Sequence, residues 1–246
     1  MKKILLTILA LLIASAAVSS ALTLDELFNR LQANKGKIKS MQADISTTIT
    51  STVKEMNTMV QKGHIWTKGT DKSKTEMYSP TKQITITNGD MMAMISPDTG
   101  QKQIQDLSKI KGHQGQPASS AGRQGGTMDL EAAKEKFDFS LRTLAPSTLD
   151  PCPYIITGIP KDDNKFMGKM EVYVDSAKMV PTKISIFTPT GKLMNETKIE
   201  YKKIAGVYVA YKNSSSVNLP NGSMKVEMVY SGIKINEGIN DKEFEI

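Results

Sequence analysis

The chain is cut by turn chemistry into runs of strand length, and this pattern most limits what it can fold into. Between residues 63 and 101 the runs are Gly63–Lys68, Lys74–Pro80, Gln83–Gly89 and Asp90–Pro97, followed by Asp98–Gln101. Ser79-Pro80, Asn88-Gly89, Ser96-Pro97 and Thr99-Gly100 supply the breaks. Gly, Asn and Pro at such points favour tight reversal over continued strand. Asn88-Gly89 followed at once by Asp90 predicts a tight hairpin, because Asn and Gly tolerate positive φ. A meander of consecutive antiparallel strands with one apolar face follows from this order.

The first residues carry a different signal. Lys2-Lys3 is a short basic start, Ile4–Ala17 an almost unbroken apolar run, and Ser19-Ser20-Ala21 a set of small residues. These are the parts of a secretory signal peptide spanning residues 1–21, and the apolar run is short for a membrane anchor. With no Cys beside the cleavage point, a lipid anchor there is not expected. The remaining residues 22–246 should act outside the cytoplasm, in a bacterial periplasm. Cys152 is alone in the sequence. No internal disulfide is possible, and a core must hold the fold. Cys152 lies in Asp150-Pro151-Cys152-Pro153, where burial as a small apolar group is expected rather than nucleophilic chemistry. The net charge is +7, to which Lys2 and Lys3 contribute. Lys198, Lys202 and Lys203 are interleaved with Glu196 and Glu200, which predicts a solvated face rather than a nucleic-acid groove.

Thr23-Leu24-Asp25-Glu26 is a capping box, and Leu24, Leu27, Phe28 and Leu31 follow at helical spacing. An amphipathic N-terminal helix is expected. Strands are then predicted from Met41 to Val53 and from Met56 to Lys68, before the meander, which ends near Ile104. Residues 111–127 are rich in Gly, Ser and Gln and poor in apolar residues. They predict a flexible insertion, either a lid-bearing loop or a passive one. Asp129–Lys136 has helical spacing, with Leu130, Ala133 and Phe137 on one side. Further strands are predicted at Tyr154–Ile159, Lys169–Val174, Thr182–Phe187, Lys192–Lys203, Gly206–Val217 and Ser223–Ile235, with Phe244 and Ile246 in a short closing strand. The fold class is therefore mainly β. One antiparallel sheet of roughly ten or eleven strands should curl strongly, since flat sheets of that size are rare.

Residues two apart on each strand define candidate apolar faces. They are Ile65, Met77, Ile84, Ile86, Met92 and Met94 in the first half. Met170, Val172, Ile184, Ile186, Met224, Val226 and Met228 follow in the second. Most are aliphatic or thioether groups, and the chain has 15 methionines. Methionine adapts to irregular apolar partners such as acyl chains. An ordinary core packed under the helices satisfies the same alternation.

The order of these blocks resembles the periplasmic outer-membrane lipoprotein carriers, the LolA-like or lipoprotein-sorting family. The resemblance rests on the helix Leu24–Leu31 with Ser40–Asp44 and on Gly63-His64-Ile65-Trp66-Thr67-Lys68. It extends through Met77–Pro80, Ile84–Pro97 and the closing Ile233–Phe244. It implies an incomplete antiparallel barrel with a helical lid, here Leu130 and Phe137, over the concave face. It also implies a monomeric carrier of lipoprotein acyl chains or another lipid. Such a carrier receives cargo from an inner-membrane transporter and passes it to an outer-membrane acceptor, without cofactor, metal or covalent chemistry. One departure stands out. The family continues its Trp strand as Lys-Arg-Pro, the Arg helping to latch the lid, whereas this chain reads Lys68-Gly69-Thr70. A lipid-sensing regulator or protein-interaction module of the same fold is the alternative, and an edge strand at Met56–Lys68 could receive a partner strand. For an enzyme, only His64 and His113 are available, and no nucleophile–base motif or metal-ligand cluster is present.

Overall fold

The computed structural model describes residues 22–53, 58–109, 133–144, 152–162 and 164–246. Helix α1 is Leu24–Lys35. The strands are β1 (Ser40–Ser51), β2 (Met59–Lys68), β3 (Lys72–Ser79), β4 (Gln83–Asn88), β5 (Met91–Ser96), β6 (Gln101–Asp106), β7 (Phe137–Thr143), β8 (Tyr154–Pro160), β9 (Lys169–Asp175), β10 (Val180–Phe187), β11 (Leu193–Ile204), β12 (Val207–Leu219) and β13 (Gly222–Ile235). All thirteen form one antiparallel sheet, in the order β6-β5-β4-β3-β2-β1-β13-β12-β11-β10-β9-β8-β7. Two runs of neighbouring hairpins are thus joined where β1 pairs with β13. The sheet is curved and does not close into a barrel, because β6 and β7 end the order without pairing. Bulges between β1 and β13, β11 and β12, and β9 and β10 add local twist.

Local chemistry sets the elements. The α1 capping box forms as its sequence predicts: Glu26 N–H donates to Thr23 Oγ1 at 3.2 Å and Thr23 N–H to Glu26 Oε2 at 2.8 Å. The backbone N–H of Thr23, together with its hydroxyl, holds the Glu26 carboxyl below its ordinary range. The hairpin after β4 has Gly89 and Asp90 as its loop, with Asn88 still paired to Met91. Gly89 alone carries the positive φ, 59°, at the first loop position. That is the pattern of a II′ turn, so Asn88 is released to donate its side-chain amide to Phe244 O at 3.2 Å.

Some expectations need correction. The strand count is thirteen rather than roughly ten or eleven, because β6 and β7 are additional to the eleven runs read as strands from the sequence. Phe137 opens that strand instead of continuing the helix of Asp129–Lys136. Its alternation with Phe139 and Leu141 is the period-two pattern of a strand, which outweighs its helical spacing from Ala133. Phe244 sits in a 3-10 turn, Asp241–Phe244, capped by Asn240, rather than in a closing strand. The stretch Met56–Lys68 does not supply an edge: β2 lies between β1 and β3. Leu130 and the Gly-rich insertion 111–127 lie outside the described residues, as do residues 1–21, where a signal peptide is expected.

Candidate functional site

The register between strands assigns every side chain to one of two sheet faces. On the inner face, defined as the one carrying α1, three rows cross the sheet. One runs Gln61–Thr47–Met228–Asn213–Ile199. The next runs Met59–Ile49–Val226–Ser215–Thr197–Ile184–Val172–Ile156. The third runs Ser51–Met224–Val217–Asn195–Ile186–Met170–Gly158–Phe139. Beyond β1 the same face continues through Ile65, Met77, Met94 and Met92.

Helix α1 covers part of this face. Leu27 and Phe28 are buried with Ile156, Val172 and Val174, and Phe28 meets Phe139 edge-on at 5.4 Å. Met170 is also buried on this side. The residues before β7 hold the helix from its N-terminal end: Lys134 Nζ lies 3.2 Å from Asp25 Oδ1 and 5.2 Å from the Phe28 ring. A second cluster joins β1, β2, β12 and β13 through Met41, Ala43, Ile45, Ile65, Val209 and Tyr230. Gly63 belongs here because a Cβ would collide with the Glu76 carbonyl and with Met77 Sδ. Met77 and Met228 pack at the rim of this cluster. Met92, Met94, Ile186, Met224 and Val226 are half-buried and belong to none of the three buried clusters.

The sequence grouped Ile84 and Ile86 with Met92 and Met94, and the register separates them. Thr85 pairs with Met94 and Thr87 with Met92, so Ile84 and Ile86 point to the opposite, outer face. There Ile86 is buried with Ile239 and Phe244, flanked by Trp66, Ile84, Ile95 and Ile246. Lys68 and Lys72 reach Asp241 at 3.1 and 2.8 Å, and Lys74 reaches Glu243 at 2.8 Å. Lys68, at the place of the absent Lys-Arg-Pro run, thus secures the C-terminal segment to the outer face. Elsewhere that face is charged. Lys198 is largely exposed beside Glu196, and Lys212 pairs with Glu227 at 3.1 Å.

Sequence reading did not single out a group of polar side chains in the middle of the inner face. Thr197 Oγ1 is 2.7 Å from Ser215 Oγ and 3.4 Å from Asn195 Oδ1. Asn213 Oδ1 and the Tyr201 hydroxyl are buried without a hydrogen-bond partner. Burial pushes the Tyr201 hydroxyl well above the ordinary phenol range. Tyr201 also lines an apolar cleft at the C-terminal end of α1, with Leu31, Ile38, Met41, Val209 and Tyr230. Burial likewise raises Tyr230 to about 12, and its hydroxyl donates to Met228 Sδ at 2.9 Å. Alternation could have placed Thr197 and Asn195 on one face, but their meeting with Ser215 and Asn213 depends on long-range register.

Cys152 is buried, with Sγ 3.0 Å from Thr182 Oγ1. His64 Nδ1 lies 2.8 Å from Asp44 Oδ1 on the outer face. Among the described residues no group of three or more His, Cys, Asp or Glu could hold a metal ion, and no helix is long and apolar enough to cross a membrane.

Residues 119–246 match the model of a family described as an uncharacterized protein family. No curated protein matches the sequence. Among solved structures, the chain is similar to a DUF1329 family protein from Desulfovibrio piger, with TM-score 0.65 and 13% identity over 92% of this chain and 98% of that one. It is similar to a LolA superfamily protein from Nitrosomonas europaea, with TM-score 0.60 and 17% identity over 92% and 99%. A third is an outer membrane lipoprotein-sorting protein domain from Vibrio parahaemolyticus, with TM-score 0.58 and 15% identity over 88% and 94%. At these identities the likeness is one of fold.

Proposed function

We propose that this chain, which belongs to the uncharacterized family matched over residues 119–246 and has the fold of the LolA superfamily, is a periplasmic carrier. It binds the acyl chains of a lipoprotein or another lipid on its inner sheet face and shuttles them toward the outer membrane, as a single-domain monomer and without catalysis. One observation carries this reading. Met92, Met94, Ile186, Met224 and Val226 are half-buried apolar groups on one face, outside every buried cluster. Such half-buried apolar groups spread along one sheet face suit an apolar partner lying across it, and methionine adapts to a partner of irregular shape. Each acyl methylene buried there contributes about 0.8 kcal/mol, so roughly ten or more methylenes give micromolar capture before ordering costs. Ile65, Met77, Met170, Val172, Ile184 and Met228 form the buried floor and rim of the same surface, while Ile84 and Ile86 serve the C-terminal segment instead.

The helical cover is proposed to be α1 together with Ala133–Lys136. Both lie at the β7–β10 side of the inner face, and Phe28 supplies the apolar contact. Cargo would come from an inner-membrane transporter and leave to an outer-membrane acceptor, in keeping with the signal-peptide pattern of residues 1–21. The test is mass spectrometry of solvent extracts from protein purified natively from its periplasmic fraction. Acyl lipid or lipidated peptide should be present in stoichiometric amount and be lost from Met94→Asp protein that remains folded. Extracts free of lipid, together with no binding of added lipid by the purified protein, would overturn the reading.

A further inference from the structure

Among the described residues few large apolar side chains stand open to water, and most of them share one rim of the sheet. Phe166 is 78% exposed, Ile159 53%, Tyr78 50% and Val60 45%. Val60 lies at the start of β2 and Tyr78 near the end of β3, where Lys62 pairs with Ser79. Ile159 lies near the end of β8, and Phe166 in the hairpin that leads from β8 to β9. The pairings Ser51–Met224 and Phe187–Lys169 put the β12–β13 and β10–β11 turns at this rim too. Met91 and Ile104 are exposed elsewhere, on β5 and β6.

The exposure of Phe166 is built into the backbone. Asn164 Oδ1 accepts from the backbone N–H of Phe166 at 2.9 Å and of Met167 at 3.0 Å, which fixes the turn. Gly168 N–H then donates to Phe187 O at 2.8 Å. A Cβ at Gly168 would lie 2.6 Å from Pro189 Cα, so the base of the hairpin is pressed against the β10–β11 turn. That turn is itself closed, with Lys192 N–H donating to Thr188 Oγ1 at 3.1 Å. Lys165 precedes the ring and Lys192 stands on the neighbouring turn. Both are exposed, and neither meets a carboxylate among the described residues. Lys62 and Lys82 are in the same state along the β2–β4 part of the rim. Asp98, Asp138 and Asp162 also lie here, and Asp163 follows in sequence, so the positive field is a bias and not a pure patch.

We propose that this rim docks on the surface of an anionic lipid bilayer, with Phe166 entering the boundary between headgroups and acyl chains and with Lys165 and Lys192 meeting lipid phosphates. An aromatic ring gains by leaving water there, while the methylene stems of lysine return their ammonium groups to headgroup level. The apolar sites are spread over the ends of separate hairpins along one edge, which suits a flat, laterally extended partner. A pocket-bound peptide would need them gathered into a groove. The charge bias selects an anionic surface over a neutral one, each lysine near it contributing about fivefold in partition. One ring and a few free ammonium groups give weak, reversible docking. The rim is separate from the methionines of the inner face, and its docking does not rest on the carrier reading.

The experiment measures partition of the purified protein onto sedimented vesicles. One set mixes phosphatidylglycerol with phosphatidylethanolamine, and the other is phosphatidylcholine alone. Partition onto the first set should exceed that onto the second by at least about fivefold and should weaken at about 0.5 M salt. Phe166→Ser should lower partition onto the anionic vesicles about tenfold, and Lys165→Glu by about fivefold or more. Both side chains are exposed, so unfolding midpoints should stay at the parent value. Lys198→Glu, the same charge change on the outer face, and Met94→Gln, on the inner face, should leave partition nearly unchanged. Absence of partition onto anionic vesicles at low salt overturns the proposal. So does partition that Phe166→Ser leaves intact, or that Lys198→Glu lowers as much as Lys165→Glu does. A loss in Met94→Gln would show that sedimentation reports lipid capture on the inner face and would likewise overturn it. Binding to native membranes but not to vesicles of their extracted lipid would assign the rim to a protein partner instead. Failure on any of these counts leaves the carrier reading, tested by lipid extraction, as it stands.

Discussion

Removing the Phe244 ring tests what holds the C-terminal segment to the outer face. Phe244 is completely buried, and its neighbours Ile86 and Ile239 are nearly so. Truncating such a ring to Ala typically costs about 3–5 kcal/mol, the sum of lost transfer energy and an unfilled cavity. The ionic contacts of the same segment are different in kind. Asp241 is well exposed, and so in part are Lys68 and Lys72, so water and salt screen their attraction. Phe244→Ala should therefore lower the urea midpoint by about 1–2 M, for an m-value near 3 kcal/mol/M. Asp241→Asn should move it far less, and its small effect should fade at 0.5 M salt. Lipid binding measured in buffer without urea should survive Phe244→Ala, because the ring lies on the face opposite Met92 and Met94. A midpoint shift from Asp241→Asn equal to that from Phe244→Ala would refute the argument that apolar burial holds the segment. Loss of binding in a folded Phe244→Ala protein would refute the separation of the two faces.

Further outcomes follow from the same structure. Met92→Asp or Met94→Asp should weaken acyl-chain binding at least tenfold, because a carboxylate would lie against hydrocarbon, whereas Lys198→Asp on the outer face should change it little; equal effects measured by lipid titration would undo the face assignment. Phe28→Ala should destabilise by about 3–5 kcal/mol in denaturant unfolding and speed hydrogen exchange across α1, since the ring is buried against Phe139 and the β8–β9 core; unchanged exchange in α1 would mean that the helix is held by other contacts. Burial alone would raise the Asp175 carboxyl, yet the backbone N–H of Lys178, its ammonium at 2.9 Å and the Ala177 N–H hold it below the ordinary range. A carboxyl lowered by folding adds stability above about pH 4 and loses it as pH falls through the folded value. The stability gap between parent and Asp175→Asn should thus shrink from pH 5 toward pH 2, and a gap constant over that range, or growing, would exclude the linkage.

What could be read from the sequence were features whose causes are local. The Thr23–Glu26 capping box, the strand runs and their Gly, Pro and Asn breaks depend on neighbours a few residues away, and α1 and most strands lie where those signals put them. The lack of a disulfide partner for Cys152 follows from composition. The fate of Phe137 turned on two competing local signals: its helical spacing from Leu130 and Ala133, and the period-two alternation of Phe137, Phe139 and Leu141, which is the strand pattern and prevails in the structure.

The tertiary structure decided which faces coincide. Alternation says that Ile84 and Ile86 share a face, and that Met92 and Met94 do, but not that the two pairs share one. The two-residue loop at Gly89-Asp90 pairs Asn88 with Met91, so even-numbered residues of β4 stand opposite odd-numbered residues of β5. One residue more or less in that loop would reverse the assignment, since the side-chain period is two. The polar group of the inner face was hidden for the same reason: Thr197 and Ser215 lie 18 residues apart and meet through the β11–β12 register alone. Each strand's sequence thus defined its own two sides, while pairing between strands, set by loop length, bulges and the burial of Phe244, chose which side of each strand faces the helix-bearing surface.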